Sequence, residues 1–245
     1  MDGGLGGLLC AAAHIGDLSE VRRLVARGAD VDSRDPRPGH EGQTTLHLAV
    51  SHHPTFEFLL QNGASASLSD QRGYLPLHIA AMRHADTLEL LLAAPDIDVN
   101  ARSRFGLTPL LCALDKIGPT NGKRAVSCLN LLIEAGADVD AVTDTRWSAL
   151  DIALASTNTS GKAVKLLLRA GANPATEMLW PERKPYNAAA FAVYDRVKAA
   201  GDWKAYARKH QRVLAGLVSK CAPLPDDAAR LVVGFWTPPG GYYTC

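Results

Sequence analysis

The sequence predicts an all-α solenoid of stacked helix pairs, closed at its C-terminal end by a helical cap. Three observations in its 245 residues predict it. Four stretches are near copies of one another: ARGADVD (26–32), QNGASAS (61–67), EAGADVD (134–140) and RAGANPA (169–175), with PDIDVNA (95–101) a looser fifth. A second motif runs in step with them: TTLHLAV (44–50), LPLHIAA (75–81), TPLLCAL (108–114) and SALDIAL (148–154). A third is an apolar run ending in paired aliphatics: VRRLV (21–25), FEFLL (56–60), LELLL (88–92), LNLLI (129–133) and VKLLL (164–168). The key positions Gly28, Gly63, Asp96, Gly136 and Gly171 are spaced 35, 33, 40 and 35 residues apart. Self-similarity at such a period marks a repeat architecture.

Each piece of the repeat has a physical task. In the TPLH-like motif the Thr hydroxyl can cap the helix that Pro opens, where its missing N–H costs nothing. The histidines of that motif, His47 and His78, can hydrogen-bond back to the same turn. Leu and Ala at helical spacing give a narrow buried face, and Ala lets neighbouring helices approach closely. The Gly after the second helix supplies a left-handed stop. First helices are expected near 8–14, 45–52, 76–83, 109–116 and 148–155, each followed by a second helix and a turn.

Turn, short helix, short helix, Gly stop and turn, with a period near 33, resembles the ankyrin repeat. The resemblance covers residues 5–176 in five registers. It implies a solenoid of antiparallel helix pairs with hairpin tips projecting to one side. It implies protein binding on the concave surface made by tips and first helices, with no catalytic residues. The chain departs from the pattern in places. Repeat one lacks its TPLH, and PRPGHE (36–41) lengthens the tip that follows. Repeat two is short around HHPTF. KIGPTNGKR (116–124) reads as an exposed loop between the helices of repeat four, tolerant of deletion. Repeat five has Arg146 where the pattern has Gly and Asp151 where it has His.

A second region is expected from 177 to 245. Trp, Tyr and Phe number 15, and ten of them lie in the last 68 residues, which do not match the repeat. Asn187–Ala200 reads as a helix broken by Gly201 and Asp202. Trp203 to about Lys220 reads as another, with Trp203, Tyr206, His210, Leu214 and Leu217 on one apolar face. From Arg183 to Lys220 nine Lys/Arg stand against two acids. Its simplest task is an aromatic cap on the open end of the solenoid. The segment LPDDAARLVVGFW (224–236) also resembles the opening of an F-box; with a SOCS-box-like ending as a variant, that would make the chain a substrate adaptor of a ubiquitin ligase.

Composition narrows the function classes. Apolar residues make up 47%, enough for a core. The 26 basic and 25 acidic residues nearly cancel, so nucleic acid is not an expected partner. No run of 18 uncharged apolar residues exists, so no membrane span is expected. The start, MDGGLGGLLCAAAHIG, has Asp2 where a leader peptide carries a basic residue, so it reads as a first helix. Five scattered cysteines (10, 112, 128, 221, 245) without a close pair read as reduced thiols of a cytoplasmic or nuclear chain. There is no G-x-S-x-G, P-loop or dinucleotide fingerprint. The expected class is therefore a monomeric, non-enzymatic interaction module without cofactor or small-molecule substrate.

The candidate binding residues lie at the tips and at the ends of the first helices. Arg34, Arg72, Arg102, Arg104 and Arg146 fall at tips, interleaved with Tyr74, Phe105 and Trp147. Arginine and aromatic side chains are what binding hot spots favour, and guanidinium groups point to an acidic segment of a protein partner. His14, His52, His53 and His84 fall near first-helix ends, where stacking would set them in a polar row facing a partner. Repeats pack about 10 Å apart, too far for one ion to join three such histidines, so no metal is expected.

Overall fold

The computed structural model describes residues 3–40, 42–95, 97–115, 122–155, 161–173, 195–201 and 205. Ten named helices occur in five consecutive pairs. They are α1 (Gly3–Ile15) with α2 (Leu18–Ala26), α3 (Thr45–Ala49) with α4 (His53–Gln61), α5 (Pro76–Arg83) with α6 (Ala85–Leu92), α7 (Pro109–Asp115) with α8 (Gly122–Glu134), and α9 (Ala149–Ala155) with α10 (Gly161–Arg169). The described residues contain no strand, only isolated bridges Arg34–Thr44 and Val142–Ser148. The all-α stack expected from the repeats is what forms.

The core is one continuous seam of small and branched aliphatics. Leu9, Val21, Leu24, Leu46, Phe56, Leu59, Leu77, Leu88, Leu91, Leu110, Leu129 and Leu167 are fully buried, with Ala13, Ala49, Ala80, Ala113 and Ala153 between them. Each such Leu contributes roughly 1.5–3 kcal/mol of burial, and the alanines set how closely first helices pack. Four of the five second helices stop at glycines in left-handed backbone, Gly28, Gly63, Gly136 and Gly171, while α6 ends at Ala93 without one.

Threonines add ties that the motif did not announce. Thr55 Oγ1 donates to the Gly16 carbonyl (3.3 Å) and Thr87 Oγ1 to the Val50 carbonyl (2.9 Å). Each lies in a second helix and satisfies a carbonyl just past the preceding repeat's first helix, where intrahelical partners run out.

Two boundaries differ from expectation. The first helix begins at Gly3, five residues before the predicted start, although glycine is a poor helix former. Packing decides it: a Cβ at buried Gly6 would lie 3.0 Å from the Ser33 Cβ, so glycine lets α1 approach the first turn closely. The helix α8 begins at Gly122, so Gly122, Lys123 and Arg124 are helical and do not extend the loop as predicted. The rest of that loop, 116–121, lies outside the described residues.

Most of the 177–245 region also lies outside them, including the helix from Trp203 and the 224–236 segment. Within the expected helix 187–200, residues 195–200 are helical, and Gly201 follows at φ 90°.

Candidate interaction surface

Four tips project between consecutive helix pairs, over 35–43, 70–74, 103–107 and 143–147. Each is closed by one backbone bond: Asp35 N–H to Gln43 carbonyl (2.8 Å), Asp70 to Tyr74 (2.8 Å), Ser103 to Leu107 (2.9 Å) and Thr143 to Trp147 (2.9 Å). The opening side chain is buried and props the turn from inside. Asp70 Oδ1 accepts from the N–H of Arg72 (2.9 Å) and Tyr74 (2.8 Å). Ser103 Oγ accepts from Phe105 (3.3 Å) and Leu107 (3.2 Å), and Thr143 Oγ1 from Trp147 (3.0 Å). A short oxygen-bearing side chain at the head of each turn thus fixes where the following residues point.

The lengthened first tip folds back on its own acid. Arg37 grips the buried Asp35 carboxylate through Nε (2.9 Å) and Nη2 (2.6 Å), and His40 Nδ1 stands 3.3 Å from it. Burial works against the Asp35 charge, but the Arg37 bonds and the nearby His40 outweigh it and hold the carboxyl below its usual range. His40 also meets the His14 ring edge-on at 5.3 Å, which anchors the insert to α1.

Successive tips are hydrogen-bonded to one another. Arg104 N–H donates to the Arg72 carbonyl (3.0 Å), and Asp144 N–H to the Phe105 carbonyl (3.4 Å). Two of the candidate arginines belong to this framework. Arg34 Nη1 donates to the Gly42 (2.6 Å) and Ser69 (2.8 Å) carbonyls. Arg102 Nη2 donates to the Val142 carbonyl (3.0 Å) and lies 3.5 Å from Asp144 Oδ1. Arg34 and Arg102 each stand one residue before a tip, and what the sequence did not reveal is that their guanidinium groups reach backbone carbonyls of the following repeat. Below the tips a parallel ladder runs, with Asp32 accepting from Ser65 N–H, Asn100 from Asp138 and Asp140 from Asn173, all at 2.8 Å.

The remaining candidates divide by exposure. Arg72, Arg104 and Arg146 are exposed, and Phe105 is 56% exposed. Tyr74 is half-buried with its ring edge-on to His78 at 5.6 Å, and Trp147 is half-buried. His52 packs on the turn after α1, its Nε2 3.1 Å from the His14 carbonyl, and stands just before the first residue of α4. His84 links α5 to α6 and is half-buried. The His52 ring thus meets the His14 backbone, and this contact joins the first two repeats. Among the described residues, no three His, Cys, Asp or Glu side chains are grouped to hold a metal ion. No helix among them is long and apolar enough to cross a membrane.

Comparison with known proteins places this architecture. A model of ankyrin repeats in three copies matches residues 8–103, and a single ankyrin repeat matches 105–144. Together they cover more than half of the chain, which belongs to the ankyrin-repeat family. That family is one of non-enzymatic modules for protein–protein interaction. Relatives include Rabankyrin-5 of Homo sapiens, 37% identical over 128 residues, 48% of this chain and 11% of that protein. Neurogenic locus notch homolog protein 1 of Homo sapiens is 34% identical over 157 residues, 62% of this chain and 6% of that protein. Neurogenic locus notch homolog protein 2 of Homo sapiens is 35% identical over the same length. The chain thus spans about a tenth or less of the curated relatives it matches.

Proposed function

We propose that this chain acts as a non-enzymatic adaptor that binds an acidic segment of another protein along its tips and concave surface. The supporting observation is the row of tips carrying Arg72, Arg104 and Arg146 beside Tyr74, Phe105 and Trp147, held in register by tip-to-tip hydrogen bonds. Guanidinium groups grip carboxylates with two parallel bonds and stack on rings, and a rigid row lowers the entropy lost on binding. The working form is a monomer in the cytoplasm or nucleus, without cofactor, membrane contact or small-molecule substrate. A partner recovered by affinity capture with the full chain tests this reading. It should dissociate faster from a Trp147→Ala variant, and its association with an Arg72→Glu variant should slow most at low salt. Binding indifferent to substitutions at every tip would place the site on the outer helices. Capture of ubiquitin-ligase subunits by the full chain, lost when it ends at residue 176, would favour the ligase-adaptor role of segment 224–236.

A further inference from the structure

Each later repeat shows which of its positions face the repeat before it. Thr45, Pro76, Pro109 and Ala149 stand two residues ahead of the position held by His47, His78, Leu111 and Asp151, and all four are buried. Thr45 Oγ1 donates to the Val31 carbonyl of the preceding repeat. On the second helices, Thr55 and Thr87 reach back to the Gly16 and Val50 carbonyls, and the Phe58 ring lies under the Arg22 guanidinium at 4.9 Å. Repeat one fills these positions in two ways. Glu20 and Arg23 hold the Thr55 and Phe58 positions and grip each other at 2.6 and 2.7 Å, so the α2 half of the outer face is polar and self-paired. On α1, Leu8 holds the Thr45 position and is 54% exposed, and Ile15, two turns on, is 69% exposed.

Leu8 and Ile15 are two of the four exposed large apolar side chains among the described residues. They share one face of α1 with exposed Gly4 and half-buried Ala11, at the i, i+4, i+7 and i+11 spacing of a single stripe. No Asp, Glu, Lys or Arg occurs between Gly3 and Ile15. A Cβ on Gly4 would meet nothing within 4 Å, so a neighbour can come close to the backbone there. A repeat face left to water is ordinarily polar, and in repeat one only the α2 half is. Met1 and Asp2 span at most about 7 Å, less than the roughly 10 Å from Leu8 to Ile15. Helical residues 195–200 bury Val197 in the common core and still leave Leu8 and Ile15 exposed.

We infer that the outer face of α1 docks one amphipathic helix of another protein, whose aliphatic stripe runs along Gly4, Leu8, Ala11 and Ile15. The internal junctions point to the occupant. There α1 packs on α3, α3 on α5, α5 on α7 and α7 on α9, so the outer face of a first helix has the shape that another helix fits. The lack of charge on α1 asks for an aliphatic stripe. The Glu20–Arg23 pair would lose its water beneath a second helix, which limits the occupant to one. This site is separate from the tips and does not depend on what they bind.

The test uses the full chain and a fluorescent peptide of about 18 residues, with leucines along one helical face and Lys and Glu elsewhere, followed by anisotropy. A scrambled peptide of the same composition is the control. The unmodified chain should bind the striped peptide about tenfold more tightly than the scrambled one. Leu8→Gln combined with Ile15→Gln should weaken that binding about tenfold. The melting temperature should move by less than roughly 2 °C, because both side chains are exposed. Arg72→Glu and Trp147→Ala should leave this affinity unchanged, which separates the site from the tips. Equal binding of the two peptides, or affinity indifferent to the double substitution, would overturn the inference. So would a fall of several degrees in melting temperature on that substitution, since the face would then be covered by the chain's own segments, such as 174–182. A second copy as occupant would show as a doubled mass in light scattering that the double substitution halves, and it would overturn the inference as well.

Discussion

His47 Nε2 lies 2.8 Å from the carbonyl oxygen of Tyr74, 27 residues along the chain. Its other ring nitrogen, Nδ1, accepts the Thr44 N–H at 3.2 Å, so Nε2 carries the proton and donates to the next tip. His78 repeats the arrangement, with Leu75 N–H on Nδ1 (3.0 Å) and the Ala101 (3.0 Å) and Leu107 (3.1 Å) carbonyls at Nε2. One side chain therefore caps its own helix and fixes the tip of the following repeat.

Acid should weaken the fold through these histidines. Burial lowers the pKa of both His47 and His78 in the folded chain, so near pH 6 the unfolded chain binds more protons. Stability is fully present above the unfolded imidazole value of about 6.5 and declines as pH falls below it. Asp35, held low by Arg37, adds a second decline below the ordinary carboxylate range. Urea midpoints measured from pH 8 to pH 2 should fall in those two steps. A His47→Asn, His78→Asn variant should lose the upper step.

Glycines of equal backbone geometry should differ in cost. Gly28 at φ 87° has open space around a added Cβ, so Gly28→Ala should cost about 1 kcal/mol from left-handed strain alone. Gly73→Ala at φ 77° adds a collision with the Arg104 backbone nitrogen and should cost several times more, about 3 kcal/mol. Equal melting temperatures of the two variants would show that the tips separate freely.

Asp151 should act as a helix cap. Its Oδ2 accepts from Ser148 N–H (2.9 Å) and Ser148 Oγ (2.6 Å), while Ser148 Oγ accepts the Asp151 N–H (3.2 Å). Asp151→Ala and Ser148→Ala should each cost about 1 kcal/mol, and the double variant less than the sum. Denaturant titration of the four proteins gives the coupling.

The buried thiols should be inert while the chain is folded. Burial pushes Cys10 up to about 12 and Cys128 up to about 11, far from the thiolate form at neutral pH. Alkylation followed by peptide mass spectrometry should leave both unmodified in buffer and label both in denaturant.

The sequence made the helix pairs legible because their requirements are local: a Pro or Thr at the start, a Gly at the end, and Leu and Ala at helical spacing between. It also flagged Arg146 and Asp151 as departures from the pattern, and both have a physical outcome in the structure. What it hid was second partners. Nothing in the spacing of Arg34 or Arg102 reveals that their guanidinium groups reach carbonyls on a neighbouring tip, because those carbonyls belong to any residue type. The extra turns of α1 were hidden for the same reason, since Gly6 is explained by Ser33 and not by its neighbours in sequence.

The series His47, His78, Leu111, Asp151 runs along one position of the four later repeats. The first two members reach forward into the next tip. Leu111 is wholly buried and has no polar atom to extend, and Asp151 turns back onto Ser148. Beyond the third tip no buried histidine reaches forward, and the tips are held by the Asp144 N–H on the Phe105 carbonyl and by Arg102, whose bonds are exposed to water and correspondingly weaker. In an array whose stability is a sum over neighbours, such a gradient gives unravelling a direction. Among the described helix pairs, amide protons of α9–α10 should exchange before those of the histidine-clamped middle, which survives as the last ordered nucleus.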